Sequence, residues 1–227
     1  MVYLKQEKFL DKEKQKLNKK MFNLANKELK RIYPKIKIAL KFSNNWELLV
    51  ATILSAQTTD KKVNEITFKL FQKYRNIDDY SKAKISEMEK DIYGVNFHKN
   101  KAKAIVENAI TIKQKFNSKV PKTMEELLAL KHIARKSANI VLSMGFDINE
   151  GLAIDTHMIR LLNLYGFVNE KDPVKIEKEM LKIVPEKERR EFQLRMVQYG
   201  RDYCPAKKHD HDNCPLAGVL NKNKNKQ

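Results

Sequence analysis

Residues 120–157 constrain this chain most, because they spell helix, short turn, helix, and then the start of a further helix. Val120-Pro121-Lys122-Thr123 followed by Glu126 has the form of a helix N-terminus with a capping box, in which a threonine hydroxyl and a glutamate three residues on satisfy the first free amides. Leu127, Leu128 and Leu130 make that helix apolar on one side, and Lys131 to Ala134 interrupt it. Helical spacing resumes from Arg135 or Lys136. Asp155 stands before Thr156-His157-Met158-Ile159, where an aspartate accepts backbone N–H bonds as an N-cap.

The rest of the chain carries the same period. Leu17, Met21, Ala25, Leu29 and Ile32 recur at helical spacing among lysines over residues 11–33, and Pro34 ends the run. Such a basic amphipathic helix packs its apolar side on the body and solvates its lysines. Trp46, Leu49, Val50, Ile53 and Leu54 form a second stripe leading into Gln57. Val63, Ile66, Thr67, Leu70, Phe71 and Tyr74 form a third, and both are read as core. A short helix is expected over Ser86–Ile92, followed by a loop, Gly94 to Lys101, that mixes Phe97 with His98, Lys99 and Lys101. Loops of that mixture touch nucleic acid through stacking and charge, and an aromatic tucked onto its own domain is as common. Ala102–Phe116 is amphipathic through Ile105, Val106, Ala109 and Ile110, Asp172-Pro173 is an N-cap followed by proline at the first helical position, and another helix covers Phe192–Tyr199. The tail, NKNKNKQ, is expected to be disordered. No segment alternates with period two for long enough to make a strand, so the expected class is all-α.

Composition narrows the partners. With 46 Lys and Arg against 28 Asp and Glu the net charge is +18, which favours a polyanion through counterion release, although a lysine-rich proteome gives the same total. No apolar run reaches the roughly 20 residues of a bilayer span, and the charged N-terminus lacks a signal-peptide core, so the expectation is a cytoplasmic, nucleoid-associated protein. Two cysteines, Cys204 and Cys214, make no disulfide framework.

A lysine acting as nucleophile must be neutral. At a helix N-terminus beside Arg135, the dipole and the neighbouring cation both disfavour the protonated form of Lys136, which suits Schiff-base formation, although a lysine at a helix start is usually a surface residue. Asp155 can cap and do chemistry at once, since capping keeps its carboxylate ionised and fixed. His157 is read as structural.

At these residues a family resemblance becomes visible. Leu-Leu-Val-Ala-Thr-Ile-Leu-Ser-Ala-Gln-Thr-Thr-Asp, ending at Asp60, resembles the LLIATILSAQTTD of the endonuclease III family. Arg135-Lys136-Ser137-Ala138-Asn139 resembles its RKTAN, and Ile154-Asp155-Thr156-His157 its VDTH. The match covers roughly residues 12–216. The resemblance implies a two-lobed, all-α helix-hairpin-helix DNA glycosylase fold with a DNA cleft between lobes, residues 38–149 forming one lobe and 1–37 with 150–227 the other. It implies a bifunctional enzyme, a DNA glycosylase for oxidised pyrimidines with abasic-site lyase activity. Lys136 falls on the Schiff-base lysine and Asp155 on the catalytic aspartate. Gln57 and Phe97 fall where the family fills the space left by an extruded nucleotide, and His98, Lys99, Lys101, Lys103, Lys131, His132 and Arg135 are expected on DNA. Adenine-excising relatives carry a glutamate where this chain has Thr52, and lyase-deficient mismatch enzymes lack the lysine. The expected partner is duplex DNA bearing a damaged base or abasic site, bound by a monomer. The rival reading is a non-catalytic DNA-binding derivative of the family, and retention of both Lys136 and Asp155 argues against it.

Two departures matter. The family hairpin reads Leu-Pro-Gly-Val-Gly, here Leu130-Lys131-His132-Ile133-Ala134, and glycine suits a turn needing positive φ. His132 and Ala134 are therefore expected to strain or reshape it, weakening or repositioning the grip on DNA. The family's four cluster cysteines, spaced C-x6-C-x2-C-x5-C, correspond to Cys204, His211, Cys214 and Leu220. Four thiolates are the normal requirement of a 4Fe–4S cluster, so the expectation is no cluster and a metal-free remnant. A zinc site at Cys204, His209, His211 and Cys214 is the lesser alternative.

Overall fold

The computed structural model describes residues 2–224, and among these the chain is helical with no strand. The elements are α1 (Val2–Ile32), α2 (Asn45–Ser55), α3 (Asp60–Lys73), α4 (Ile77–Lys82), α5 (Ile85–Asp91), α6 (His98–Lys115), α7 (Met124–Leu128), α8 (Arg135–Phe146), α9 (Thr156–Leu164), α10 (Pro173–Leu181), α11 (Glu186–Asp202), a 3₁₀ turn at His211–Asn213, and α12 (Pro215–Lys224). They divide into two compact units, Ile38–Ile148 and Met1–Lys37 with Asn149–Gln227.

In the unit of residues 38–148, α2 is the hub. Asn44 caps it by accepting from the Glu47 amide at 2.9 Å, and Trp46 and every residue from Leu48 to Leu54 are buried. A helix apolar on all sides has to be enclosed, and α3, α6 and α8 enclose it. Each of Leu48, Leu49, Ile53 and Leu54 contributes about 1.5–3 kcal/mol by leaving water. α4 went unread in the sequence, although Asn76 and Asp79 cap it reciprocally. α6 starts four residues before the expected position, so His98, Lys99 and Lys101 lie in helix rather than loop.

The other unit packs α1 against α11, with Phe22 and Phe192 meeting edge to face at 5.2 Å and Lys30 pairing with Glu188 at 2.8 Å. Ala25 and Leu29 are buried as their spacing predicts, whereas Leu17 is exposed and Phe22 buried. Asn18 also lies on the buried face, its amide donating to the Phe167 carbonyl, and an apolar count passes over a polar residue there. Asp172 caps α10 through the amides of Val174 and Lys175, with Pro173 at its first position. The tail begins as helix, through Lys224, and residues 225–227 lie outside the described residues. No described helix is long and apolar enough to cross a membrane.

Candidate active site and metal centre

Lys136 sits exposed in the first turn of α8. The N-cap is Ala134, which offers no side-chain bond, so no capping carboxylate neutralises the positive end of this helix. The turn before it is held from beneath. Leu130 and Ile133 are buried, and the buried Asn108 of α6 grips Lys131 at both backbone groups, accepting from its N–H at 2.8 Å and donating to its carbonyl at 2.9 Å. Lys131 and His132 are left exposed and Arg135 half-buried. His132 occupies the left-handed region at φ +57°, while Ala134 is extended at φ −100°. Of the two glycine replacements only His132 stores strain, about 1–2 kcal/mol, and the turn keeps its left-handed step.

Gln57 and Phe97 are likewise exposed and left-handed, at φ +55° and +59°. The structure brings their loops together. The Asn96 side chain donates to the Gln57 carbonyl, and the Asn96 amide donates to Thr58 Oγ1 at 3.3 Å. Lys101 is buried beneath them, its Nζ 2.9 Å from the Leu54 carbonyl oxygen, 2.6 Å from that of Ala56 and 3.5 Å from Thr58 Oγ1. The expectation that Lys101 contacts phosphate is thus corrected: its ammonium is spent on the end of α2 and the Gln57 turn. Burial lowers its pKa to about 8. Lys99 and Lys103 are exposed, the latter 3.8 Å from Glu107, and the ring of His98 lies edge-on to Tyr93. Asn96 and Asn108 were missed in the sequence. Asn108 had a signal, a polar residue within the apolar face Ile105, Ala109, Ile112.

In the other unit Asp155 is the N-cap of α9, accepting from the Met158 amide at 2.9 Å. The chain leading to it is pinned by two more residues that the sequence did not flag. Buried Glu177 accepts from the Leu152 amide at 3.1 Å, and Arg189 donates to the carbonyls of Asn149 and Glu150 at 2.9 and 2.7 Å. His157 packs over Gly200 of α11 so closely that a Cβ there would stand 2.8 Å from its Nδ1, which fits the structural reading of that histidine.

The loop after α11 overturns the expectation of a metal-free remnant. One ligand atom from each of Cys204, His209, His211 and Cys214 lies within 4.8 Å of every other, and both thiols are buried. The donors of a metal centre are therefore assembled here, in the region where endonuclease III relatives normally carry a 4Fe–4S cluster.

Comparison with known proteins agrees with this geometry. The profile described as "HhH-GPD superfamily base excision DNA repair protein" matches residues 50–186. Endonuclease III of Synechocystis sp. is 39% identical over 83% of this chain and 86% of its own length. A solved structure of a non-covalent endonuclease III–DNA complex superposes with a TM-score of 0.84 at 33% identity, covering 92% of this chain and 97% of that one. A trapped endonuclease III–DNA covalent intermediate, in an estranged-adenine complex, matches with the same score and identity, covering 92% of this chain and 98% of that one. The fold and site define a base excision DNA repair protein of the HhH-GPD superfamily, and within that superfamily the chain belongs to the endonuclease III family.

Proposed function

We propose that this chain removes oxidised pyrimidines from duplex DNA and then cuts the strand at the abasic site, with Lys136 as nucleophile and Asp155 as the catalytic carboxylate. The damaged nucleotide leaves the stack, which costs a few kcal/mol and least at a weakened pair. The neutral Lys136 amine attacks C1′, the C1′–N bond breaks, and the base departs with the electron pair and takes up a proton. The Lys136 nitrogen gives up a proton and the sugar ring opens, O4′ gaining a proton, to leave an imine between C1′ and Nζ. Protonated imine acidifies C2′. Loss of that proton expels the 3′ phosphate in β-elimination, and water hydrolyses the imine to restore the lysine. Asp155, fixed by the Met158 amide, sets negative charge against the cation that develops on the sugar.

The observation that carries this reading is the setting of Lys136, exposed at an uncapped helix N-terminus directly after a turn clamped by Asn108. Gln57 and Phe97 fill the space left in the stack. Lys99, Lys103, Lys131, His132 and Arg135 serve the phosphates, with His132 holding the glycine-like turn so that backbone as well as side chain stays available there. The protein works as a monomer on chromosomal DNA in the cytoplasm. Incubation with an abasic-site duplex and borohydride tests the chemistry. A covalent complex that Lys136→Ala abolishes is the expected result, and normal DNA binding with no adduct from the unsubstituted chain would refute it.

A further inference from the structure

We infer that Cys204, His209, His211 and Cys214 hold one four-coordinate divalent ion, Zn²⁺ by their chemistry, in the place where relatives hold an iron–sulfur cluster. All four ligands come from the twelve-residue loop, residues 203–214, that joins α11 to α12. Cys204 Sγ lies 3.4 Å from His211 Nδ1, and Cys214 Sγ lies 3.3 Å from His209 Nε2. Zn–S bonds of about 2.3 Å and Zn–N bonds of about 2.05 Å at tetrahedral angles put sulfur and nitrogen about 3.5 Å apart. Two edges of the group therefore already match those of a single-ion site, and all the others lie within 4.8 Å.

The surroundings fit as well. His209 Nδ1 lies 2.8 Å from the Lys207 carbonyl, so Nδ1 carries the proton and Nε2 presents its lone pair toward Cys214, the outer hydrogen bond that a metal-bound imidazole normally makes. The two imidazole rings meet edge to face at 4.2 Å, as two ligands of one ion do. Arg160 donates to the Cys204 carbonyl and brings its Nη1 to 3.6 Å from the Cys204 sulfur, an outer contact suited to a bound thiolate. Two thiolates balance the charge of Zn²⁺, and thiolate with imidazole in tetrahedral array selects it over harder ions.

The same residues do not match a cluster. A 4Fe–4S cluster normally takes four thiolates, and Leu220, at the fourth cysteine's place, is buried in the apolar core of its own unit. A two-iron cluster with cysteines on one iron and histidines on the other would sort the donors by type. Here each sulfur has an imidazole nitrogen as near neighbour instead.

The test is elemental and acid-labile sulfide analysis of the full chain, purified from cells supplied with both iron and zinc. One zinc per chain without sulfide is expected, and replacement by Co²⁺ should give the visible absorption of a tetrahedral thiolate complex. Stripping the metal with a chelator should lower the melting midpoint by roughly 5–10 °C. Cys214→Ser should lose the ion, and His209→Cys should keep it. Iron with stoichiometric sulfide would overturn the inference in favour of a cluster. Substoichiometric metal with a melting midpoint indifferent to chelator would overturn it altogether. If Cys214→Ser fails to fold, the metal content and cobalt spectrum of the unsubstituted chain still decide.

Discussion

The turns of residues 38–148 and the loop between Cys204 and Cys214 are held in opposite ways. Gln57, Phe97 and His132 all adopt left-handed backbone without being glycine. That strain, about 1–2 kcal/mol at each position, persists because neighbouring groups over-determine the turns. Those groups are buried Lys101, buried Asn108 and the side chain of Asn96. No residue from 203 to 214 has a left-handed φ, and its side chains converge on a common point instead. Where the substituted residue supplied backbone shape, as glycine does at the family hairpin, the shape is kept at the expense of strain. Where it supplied a metal ligand, the donor changes, thiolate to imidazole at His211, or is lost, at Leu220, and His209 completes the gathered group from another position. Context fixes a backbone conformation more stubbornly than it fixes the identity of a ligand.

The largest effect expected from breaking the first kind of support is at Asn108. Asn108→Ala removes both bonds to the Lys131 backbone and should destabilise by about 2–3 kcal/mol in urea unfolding. It should also weaken DNA binding, because the exposed Lys131 and His132 lose their fixed mount.

Lys101→Met should cost about 1–3 kcal/mol, since three buried or half-buried oxygens lose their donor. Its pH signature is more specific than its size. The folded-state pKa is about 8, lowered by burial, against about 10.4 in the unfolded chain. Between those values the unfolded chain binds more protons, so this group makes stability rise with pH from about 8 toward about 10.4. The difference in stability between the unsubstituted protein and Lys101→Met, followed by denaturant titration across that window, should grow. A flat difference would show that the ammonium is not buried.

Phe97→Ala should lower base excision from duplex DNA about tenfold, a stacking contribution of about 1–3 kcal/mol, and should leave the melting midpoint nearly unchanged because the ring is exposed. Single-turnover excision and a thermal melt on the same preparation separate the two. The smallest effect has the opposite sign. His132→Gly should stabilise by about 0.5–1 kcal/mol, the relief of left-handed strain outweighing the added freedom of the unfolded chain. Destabilisation there would mean that the imidazole makes contacts worth more than the strain.

What the sequence disclosed follows from what each signal measures. N-caps read correctly at Thr123, Asp155 and Asp172, because an N-cap is a local contract between a side chain and amides two or three residues on, whereas the full capping box expected at Thr123 does not form, Glu126 accepting from the Thr123 hydroxyl at 2.7 Å instead. Burial of lone polar residues did not read. Lys101 reads as a DNA contact because a lysine between Asn100 and Ala102 looks like any surface lysine, and only the tertiary approach of the Gln57 turn encloses it. α4 was lost because six residues are too few to show a period. The metal loop is hard to read for a related reason. C-x4-H-x-H-x2-C is not a familiar spacing, and the side-chain directions that bring His209 and His211 together depend on a 3₁₀ turn that composition does not announce.

Peptide mapping of the borohydride-trapped adduct tests most directly whether one particular amine among many lysines attacks the sugar. After digestion of protein and DNA, the reduced deoxyribose remnant should be found on Lys136 alone. A remnant carried by any other lysine, or spread over several exposed ones, would contradict the assignment and reduce the setting of α8 to a coincidence of charge.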